Sequence, residues 1–467
     1  MWVRLAPPAN LDVGAGSAAF VHGAVLHGER RIRRVELVAS GTAHPAMAQH
    51  MPSPALAAQS ALPDAARAIF WGIVPLPGMQ RGVAPPISLA AELDDGRRVE
   101  VELPVQGTRD RDAAPVQAEA GPETVAICMA TYEPEPDLLV RQIRSLLEQT
   151  HREWVCLISD DCSSPTAFAH IRRLVGTDPR FVISRADRRA GAYENFGRAL
   201  AMVPRTAGYV ALCDQDDRWY PAKLETLIGA LGQARLVFSD MRLTRPDGSV
   251  LAGTYWTTRR PNHRNFASLL LGNSVTGAAS LFERTLLDDA LPLPPPVGNL
   301  YHDHWLALVA AATGEIAYVP RPLYDYVQHP AAVIGHAGAN RGVVGGSLVR
   351  RLAALRGRPP GRLRTEWRRI YFGEYCRMAL TAYALETRFG GRIPAGTRRA
   401  LGLATAADSA RLPIAWLALR QARRLVHDDT GGSETGMLRG LAWRRLVARR
   451  DPRDPLNDAD LPAASRL

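Results

Sequence analysis

The spacing of apolar residues changes character twice along the chain, and each change marks a region. Up to about residue 120 the apolar runs are short or alternating, at 18–25, 34–38, 68–74, 87–91 and 98–103. Gly, Pro, Asn or Asp stands between them, as in a small all-β unit, so a β-sandwich-like domain is expected over 1–108. The stretch 109–122, with its acids, alanines and prolines, reads as a linker.

From Thr124 the pattern becomes apolar strands alternating with one-faced helices. Strands are expected at 125–129, 154–159, 181–184 and 209–212. Helices are expected at 137–149, 165–175, 193–203 and 221–231, the last with Pro at its first turn. Strands that are apolar throughout argue a parallel sheet covered on both faces, so an α/β domain is expected over 123–335. Beyond it, 336–467 reads as helical, Arg-rich and broken by Gly and Pro.

Charge sharpens that third region. Of 57 basic residues only Lys223 is a lysine, and 25 arginines against 11 acids fall in 341–467. That segment carries +14, while the first 340 residues carry −3. A basic segment of this kind implies a polyanionic partner, an anionic membrane surface before nucleic acid, for which no binding motif is present. Two stretches there, 412–424 and 441–450, mix apolar residues and a single Trp with Arg, which suits interfacial helices. Packing on the neighbouring domain with solvated arginines is the equal alternative.

Hydrophobic residues at 46% and charged residues at 22% exclude wholesale disorder. No apolar run approaches the ~20 residues that span a bilayer, and no signal-peptide hydrophobic region is evident. Five cysteines without zinc-type spacing read as reduced thiols. A cytoplasmic location is expected, with a peripheral position at the inner face of the cytoplasmic membrane.

Ligands of open α/β sheets bind beyond the carboxyl ends of the strands. The first strand is followed by Thr131, Tyr132 and Glu133, the second by Asp160, Asp161, Cys162 and Ser163. The third is followed by Arg185 and Asp187, then Gly191 and Asn195, and the fourth by Asp214, Gln215, Asp216 and Asp217. Hydroxyls and carboxylates converging on one edge suit a ribose and a base, and a packed acidic pair needs a cation. Taken singly, Asp160-Asp161 could cap the next helix, and an acidic turn is usually solvated. A Gly-x-Gly-x-x-Gly and a P-loop are both missing, which argues against dinucleotide-binding and P-loop enzymes.

The segments Val-Ala-Ile-Cys-Met-Ala-Thr-Tyr (125–132), Leu-Ile-Ser-Asp-Asp-Cys-Ser-Ser (157–164), Gly-Ala-Tyr-Glu-Asn-Phe-Gly (191–197) and Ala-Leu-Cys-Asp-Gln-Asp-Asp-Arg-Trp (211–219) resemble a family 2 glycosyltransferase of the GT-A fold. The Asp-Gln-Asp-Asp-x-Trp variant, with Gln142, Ser145, Gln149 and Thr150, is similar to rhamnosyltransferase-like members. The resemblance covers about 124–335. It implies inverting transfer from a nucleotide-sugar donor to a glycan or lipid-linked acceptor, in bacterial cell-envelope polysaccharide synthesis. Thr131 and Glu133 would border the nucleotide, while Asp161, helped by Asp160, would hold base or ribose. Asp187 and Asn195 would add nucleoside contacts, and Asp214 would face ribose or sugar. Asp216 would reach a Mn²⁺ or Mg²⁺ ion.

Inverting displacement needs a base for the acceptor hydroxyl. The resemblance places it at Asp303, in Tyr301-His302-Asp303-His304-Trp305, ahead of a helix expected at 305–312. Asp303 as a mere N-cap is the alternative. His302 and His304, one residue apart, diverge, so they suggest no metal site. Asn273 to Gly277 resemble the acceptor-side loop. Tyr326-Val327-Gln328-His329 resembles Tyr-Arg-Gln-His, with Val327 in place of a cationic clamp. His329 is a metal or phosphate contact or a plain loop histidine. Processive members carry Gln-x-x-Arg-Trp, which does not occur here. Two rivals stand beside this reading: a nucleotidyltransferase on a similar sheet, and an inactive carbohydrate-binding or scaffold protein.

Overall fold

Alternation in the N-terminal region becomes two four-stranded antiparallel sheets. One orders the strands 2–5, 17–26, 69–76 and 48–51; the other 42–45, 32–39, 87–93 and 98–102. Val21, Phe70 and Val74 from the first meet Val35, Leu37 and Leu89 from the second in one apolar core, so the sheets face each other. A computed structural model describes residues 1–5, 11–13, 17–76, 86–107, 119–257, 260–329, 360–406, 411–423 and 429–446. Most of the expected linker, the expected boundary at 335, and 447–467 lie outside the described residues.

The central α/β unit is a mixed nine-stranded sheet. Its elements are β1 (Val125–Thr131), α1 (Pro136–Leu147), β2 (Trp154–Asp160), α2 (Pro165–Val175), β3 (Phe181–Arg185), α3 (Ala192–Ala201), β4 (Tyr209–Cys213), β5 (Arg218–Trp219), α4 (Lys223–Leu231), β6 (Leu236–Thr244), β7 (Val250–Ala252), α5 (Phe266–Leu271), β8 (Ser280–Glu283), α6 (Leu286–Ala290), α7 (His302–Thr313) and β9 (Ile316–Val327). The order is β3-β2-β1-β4-β8-β6-β9-β5, with β7 paired to β6. β1 to β4 run parallel, and β8 enters antiparallel between β4 and β6. β1 and β2 are buried throughout but for Ala130, which is why they read as uninterrupted apolar runs.

The Arg-rich region is a helical layer packed on this unit: α8 (Pro360–Ile370), α9 (Cys376–Phe389), α10 (Ala395–Thr405), α11 (Arg411–Arg423) and α12 (Ser433–Leu446), with a π-turn at Tyr371–Tyr375 joining α8 to α9. Trp71 of the N-terminal sheet donates its indole N–H to the Tyr371 hydroxyl at 3.1 Å. Trp443 of α12 lies 5.6 Å from the Tyr371 ring. The π-turn at Tyr371 is therefore held by the N-terminal sheet and by α12 of the layer itself. Its arginines are not uniformly a solvated surface: Arg368 and Arg377 are buried, and Arg388 donates to the carbonyls of Asp289, Ala290 and Pro292. A guanidinium carries five donors in a fixed fork, enough to satisfy main-chain carbonyls at helix ends inside a fold. Among the described residues of this layer, α11 is the helix that leaves large apolar side chains outside, Leu412 at 73% and Leu419 at 67% exposure. Among the described residues no helix is long and apolar enough to cross a membrane.

Candidate active site

The strand ends sort the expected residues into a floor and a rim. Asp160 is fully buried at the end of β2, where it accepts from the Thr131 hydroxyl (3.2 Å), the Ser163 amide (2.9 Å) and the Ser163 hydroxyl (2.6 Å). Asp161 turns back on the loop before α3 and accepts the amides of Ala190 (2.7 Å) and Gly191 (2.8 Å). Gly191 has φ of 93°, open to glycine at little cost. Neither aspartate caps α2, because the Ser164 hydroxyl does, accepting the Ala167 amide at 3.3 Å, while the Ser164 amide and hydroxyl donate to the Glu133 carboxylate. Asn195 is buried below; its side-chain Nδ2 donates to the carbonyls of Thr131 (3.1 Å) and Ser159 (2.8 Å). Thr131, Asp160, Asp161 and Asn195 thus fix the strand ends, while Glu133 and Asp187 stand exposed at the rim.

The acidic turn after β4 is held from three directions. Beneath it, Gln142 of α1 donates to the Cys213 sulfur at 3.1 Å, and the Ser145 hydroxyl accepts the Trp219 amide at 3.1 Å. Beside it, the Gln215 side chain accepts from the Tyr132 amide at 2.9 Å and donates to the Tyr132 carbonyl at 3.2 Å. This double bond pair ties the ends of β1 and β4. From β9, the Val327 amide donates to Asp217 at 3.2 Å, which carries His329 onto Asp216, Nε2 to Oδ2 at 2.7 Å. Val327, which departs from the resembling motif, contributes its backbone here.

Charge is concentrated at this point. Burial raises the Asp214 carboxyl, and the neighbouring charges of Asp216 and then Asp303 raise it further. Burial likewise pushes Asp217 well up, and its second oxygen has no partner among the described residues. Lys223 is fully buried beneath, its ammonium 3.6 Å from the Trp219 ring centre and bonded to the Ala278 carbonyl. Hydrogen bonding to Asp216 raises the His329 imidazole.

Asp303 adds a buried carboxylate to the site from α7. α7 begins at His302 with Tyr301 as its N-cap, three residues ahead of the helix start expected from the pattern. Asp303 therefore sits inside the first turn and is not the cap. One carboxylate oxygen accepts the Gly277 amide at 3.0 Å, and the other accepts from Asn273 (3.2 Å) and the His304 amide (2.6 Å). Burial pushes Asp303 up to about 6, against the pull of the bonding amides. His302 and His304 do diverge. His302 stacks on Phe196 at 3.7 Å, His304 contacts the Leu269 carbonyl at 2.7 Å, and burial holds both near 3.

Among the described residues no three His, Cys, Asp or Glu side chains form a metal cage. The donor set at Asp216 and His329 fits a cation of a different kind. One carboxylate and one imidazole, beside an acidic cluster with an orphaned oxygen on Asp217, suit an ion that completes its shell with water and diphosphate oxygens. Gln215, Asp217 and Lys223 are the residues whose role the pattern did not assign. The lone lysine of the chain, just after an acidic turn, was the available signal for the last.

Residues 126–290 match the model for "Glycosyl transferase family 2". The chain is 28% identical over 203 residues to an uncharacterized glycosyltransferase of Nostoc sp., covering 41% of this chain and 61% of that one. It is 30% identical over 104 residues to Bacillus subtilis TuaG, named as a candidate teichuronic acid biosynthesis glycosyltransferase, covering 22% and 40%. The chain thus spans less than two thirds of either relative. Among solved structures, the mannosyltransferase PcManGT of Pyrobaculum calidifontis, in complex with GDP-Man and Mn²⁺, is 19% identical, covering 73% of this chain and 91% of that one at a TM-score of 0.34. The family 2 glycosyltransferase match falls on the mixed α/β sheet whose strand ends carry the acidic cluster.

Proposed function

We propose that the protein is an inverting glycosyltransferase that moves a sugar from a nucleotide-sugar donor to a glycan or lipid-linked acceptor in cell-surface polysaccharide synthesis. The observation that carries this reading is electrostatic. Asp303, 87 residues after Asp216 in the chain, lies close enough to Asp214 for its charge to raise that carboxyl. A buried acid on α7 and the acidic turn of β4 are therefore neighbours, with Gly277 packed between Asp303 and Leu212 of β4.

The donor's nucleoside lies along the β1–β3 edge, with Glu133 and Asp187 at the rim, on a floor held by Thr131, Asp160, Asp161 and Asn195. Asp214 faces the ribose or the sugar. Asp216 and His329 would hold Mn²⁺ or Mg²⁺, which offsets the charge of the departing diphosphate. Asp303 takes the proton of the acceptor hydroxyl. As that oxygen bonds to the anomeric carbon from the face opposite the diphosphate, the bond from carbon to diphosphate oxygen breaks, and the nucleoside diphosphate leaves with the electron pair. An acid raised to about 6 is ionised at neutral pH yet basic enough to accept the proton.

A lipid-linked acceptor fits a peripheral position on the cytoplasmic membrane face, and the exposed Leu412–Leu419 side of α11 is the contact that would seat there. The deciding test is incubation with UDP-, GDP- and dTDP-hexoses plus Mn²⁺. Release of a nucleoside diphosphate supports the reading; release of pyrophosphate points to nucleotidyl transfer instead.

A further inference from the structure

Arg377 lies in the Arg-rich helical layer, 74 residues after Asp303 in the chain, yet its side chain reaches His304, the residue next to Asp303. It is 2% exposed. Nη1 donates to His304 Nδ1 at 3.2 Å and to the Leu270 carbonyl at 3.4 Å, while Nη2 donates to the Leu271 carbonyl at 3.0 Å. Nη2 also meets Glu374 at 3.3 Å, and Glu374 accepts from the Asn299 side chain at 2.7 Å.

A guanidinium cannot accept, so His304 Nδ1 must be the acceptor and the ring is neutral. Its Nε2–H then donates to the Leu269 carbonyl at 2.7 Å. One buried cation thereby ties the end of α5 to the first turn of α7. These two segments carry the groups that hold Asp303: Asn273 and Gly277 follow α5, and the His304 amide lies in α7. The same layer touches the approach to α7 again, where the Asn299 amide donates to the Gly373 carbonyl of the π-turn at 3.2 Å.

We propose that Arg377 is a positioning residue for the base. It sets the Asp303 carboxylate relative to the donor by locking α5 and α7 through His304, so that the helical layer is a working part of the active site. This rests on the assignment of Asp303 as base. A group that acts only through Asp303 has nothing to act on once the carboxylate is gone, whereas a merely structural arginine matters equally in either background.

The test is a double-mutant cycle of Arg377→Gln and Asp303→Asn in the full chain. It is read as single-turnover release of nucleoside diphosphate from whichever UDP-, GDP- or dTDP-hexose is a substrate. Rates are normalised to binding-competent protein by titration with that nucleoside diphosphate and Mn²⁺. Arg377→Gln is expected to lower kcat about 10- to 100-fold with donor affinity within about twofold, the scale of a small misplacement of a reacting group. In the Asp303→Asn background the same change should cost less than about twofold. Arg377→Lys, which retains one charged donor, runs the same cycle should the glutamine variant not fold, with a smaller loss expected. Equal losses in both backgrounds, or no loss, overturn the positioning role while leaving the base intact. An Asp303→Asn single variant with undiminished kcat overturns the base assignment and the inference together.

Discussion

His329 Nε2 and Asp216 Oδ2 lie 2.7 Å apart although 113 residues separate them in the chain. The contact depends on the adjacent pair, in which Asp217 accepts the Val327 amide and so fixes the end of β9. Hydrogen bonding to Asp216, followed by its charge, raises the imidazole, so a proton and a cation compete for the same nitrogen. Asp216→Asn and His329→Gln should each abolish or sharply reduce the added thermal stability that a nucleoside diphosphate confers with Mn²⁺. In the native protein that stabilisation should weaken as the pH falls through the raised range of His329. Undiminished turnover in EDTA would contradict the cation site.

Replacing Asp303 by Asn leaves one oxygen to accept either the Gly277 or the His304 amide, puts a donating NH2 group where the other oxygen stood, and removes the basic oxygen. Transfer should slow by ~10²–10⁴, the usual worth of a general base, while donor affinity stays near that of the native protein. Titration calorimetry with the nucleoside diphosphate, beside single-turnover rates, separates the two quantities. A parallel collapse of binding would mean that Asp303 is structural.

The pH profile follows from the same carboxyl. Burial raises Asp303 to about 6, and the base must be ionised to work. Below about pH 6, kcat should therefore fall tenfold per unit, with a plateau on the alkaline side of that point. In Asp303→Asn this acid limb should vanish. A limb that persists unchanged in that variant belongs to another group.

The strand–helix alternation between 124 and 231 was legible because buried parallel strands and one-faced helices have different periods. The acidic residues at strand ends were legible for the same reason: once a strand is placed, its carboxyl end is known. What could not be read was the division of labour among those acids. Asp160 and Asp161 look alike in sequence, yet one closes on Ser163 and Thr131 while the other clips the loop at Gly191. Non-local partners decide this, and sequence spacing carries no record of them. The start of α7 was misplaced because His302 to Leu306 bury on every side, which erases the helical period. The Arg-rich region misled through composition, since an arginine count does not separate Arg377, buried among carbonyls, from a solvated one.

Gly298 should prove sensitive although it lies outside the acidic cluster. Its φ is 57°, and a Cβ there would overlap the Gly373 carbonyl oxygen of the π-turn. Gly298→Ala should cost roughly 1–3 kcal/mol by combining backbone strain with a forced separation of α7's approach loop from the helical layer. Denaturant unfolding measures it, with Gly391→Ala as control because nothing lies within 4 Å of a Cβ at that position. Equal stabilities of the two variants would mean that the close approach carries no weight.

α11 gives the membrane proposal its test. Leu412 and Leu419 are seven residues apart, two helical turns, and so share one face, with 73% and 67% of their surfaces exposed. The opposite side is engaged, since Leu417 is buried and Arg420 pairs with Glu434 at 3.4 Å. Changing Leu412 and Leu419 together to Glu removes exposed apolar surface and adds two negative charges where the described residues leave both side chains mostly open. Stability should stay within about 0.5 kcal/mol per site, as for most surface changes. Binding to vesicles of phosphatidylglycerol and phosphatidylethanolamine should nonetheless fall severalfold, and native binding should weaken in high salt because arginines supply the electrostatic share. Co-sedimentation of both proteins at low and high salt decides the matter. Vesicle binding that survives the double change, or that ignores the phosphatidylglycerol content, would place the membrane contact elsewhere.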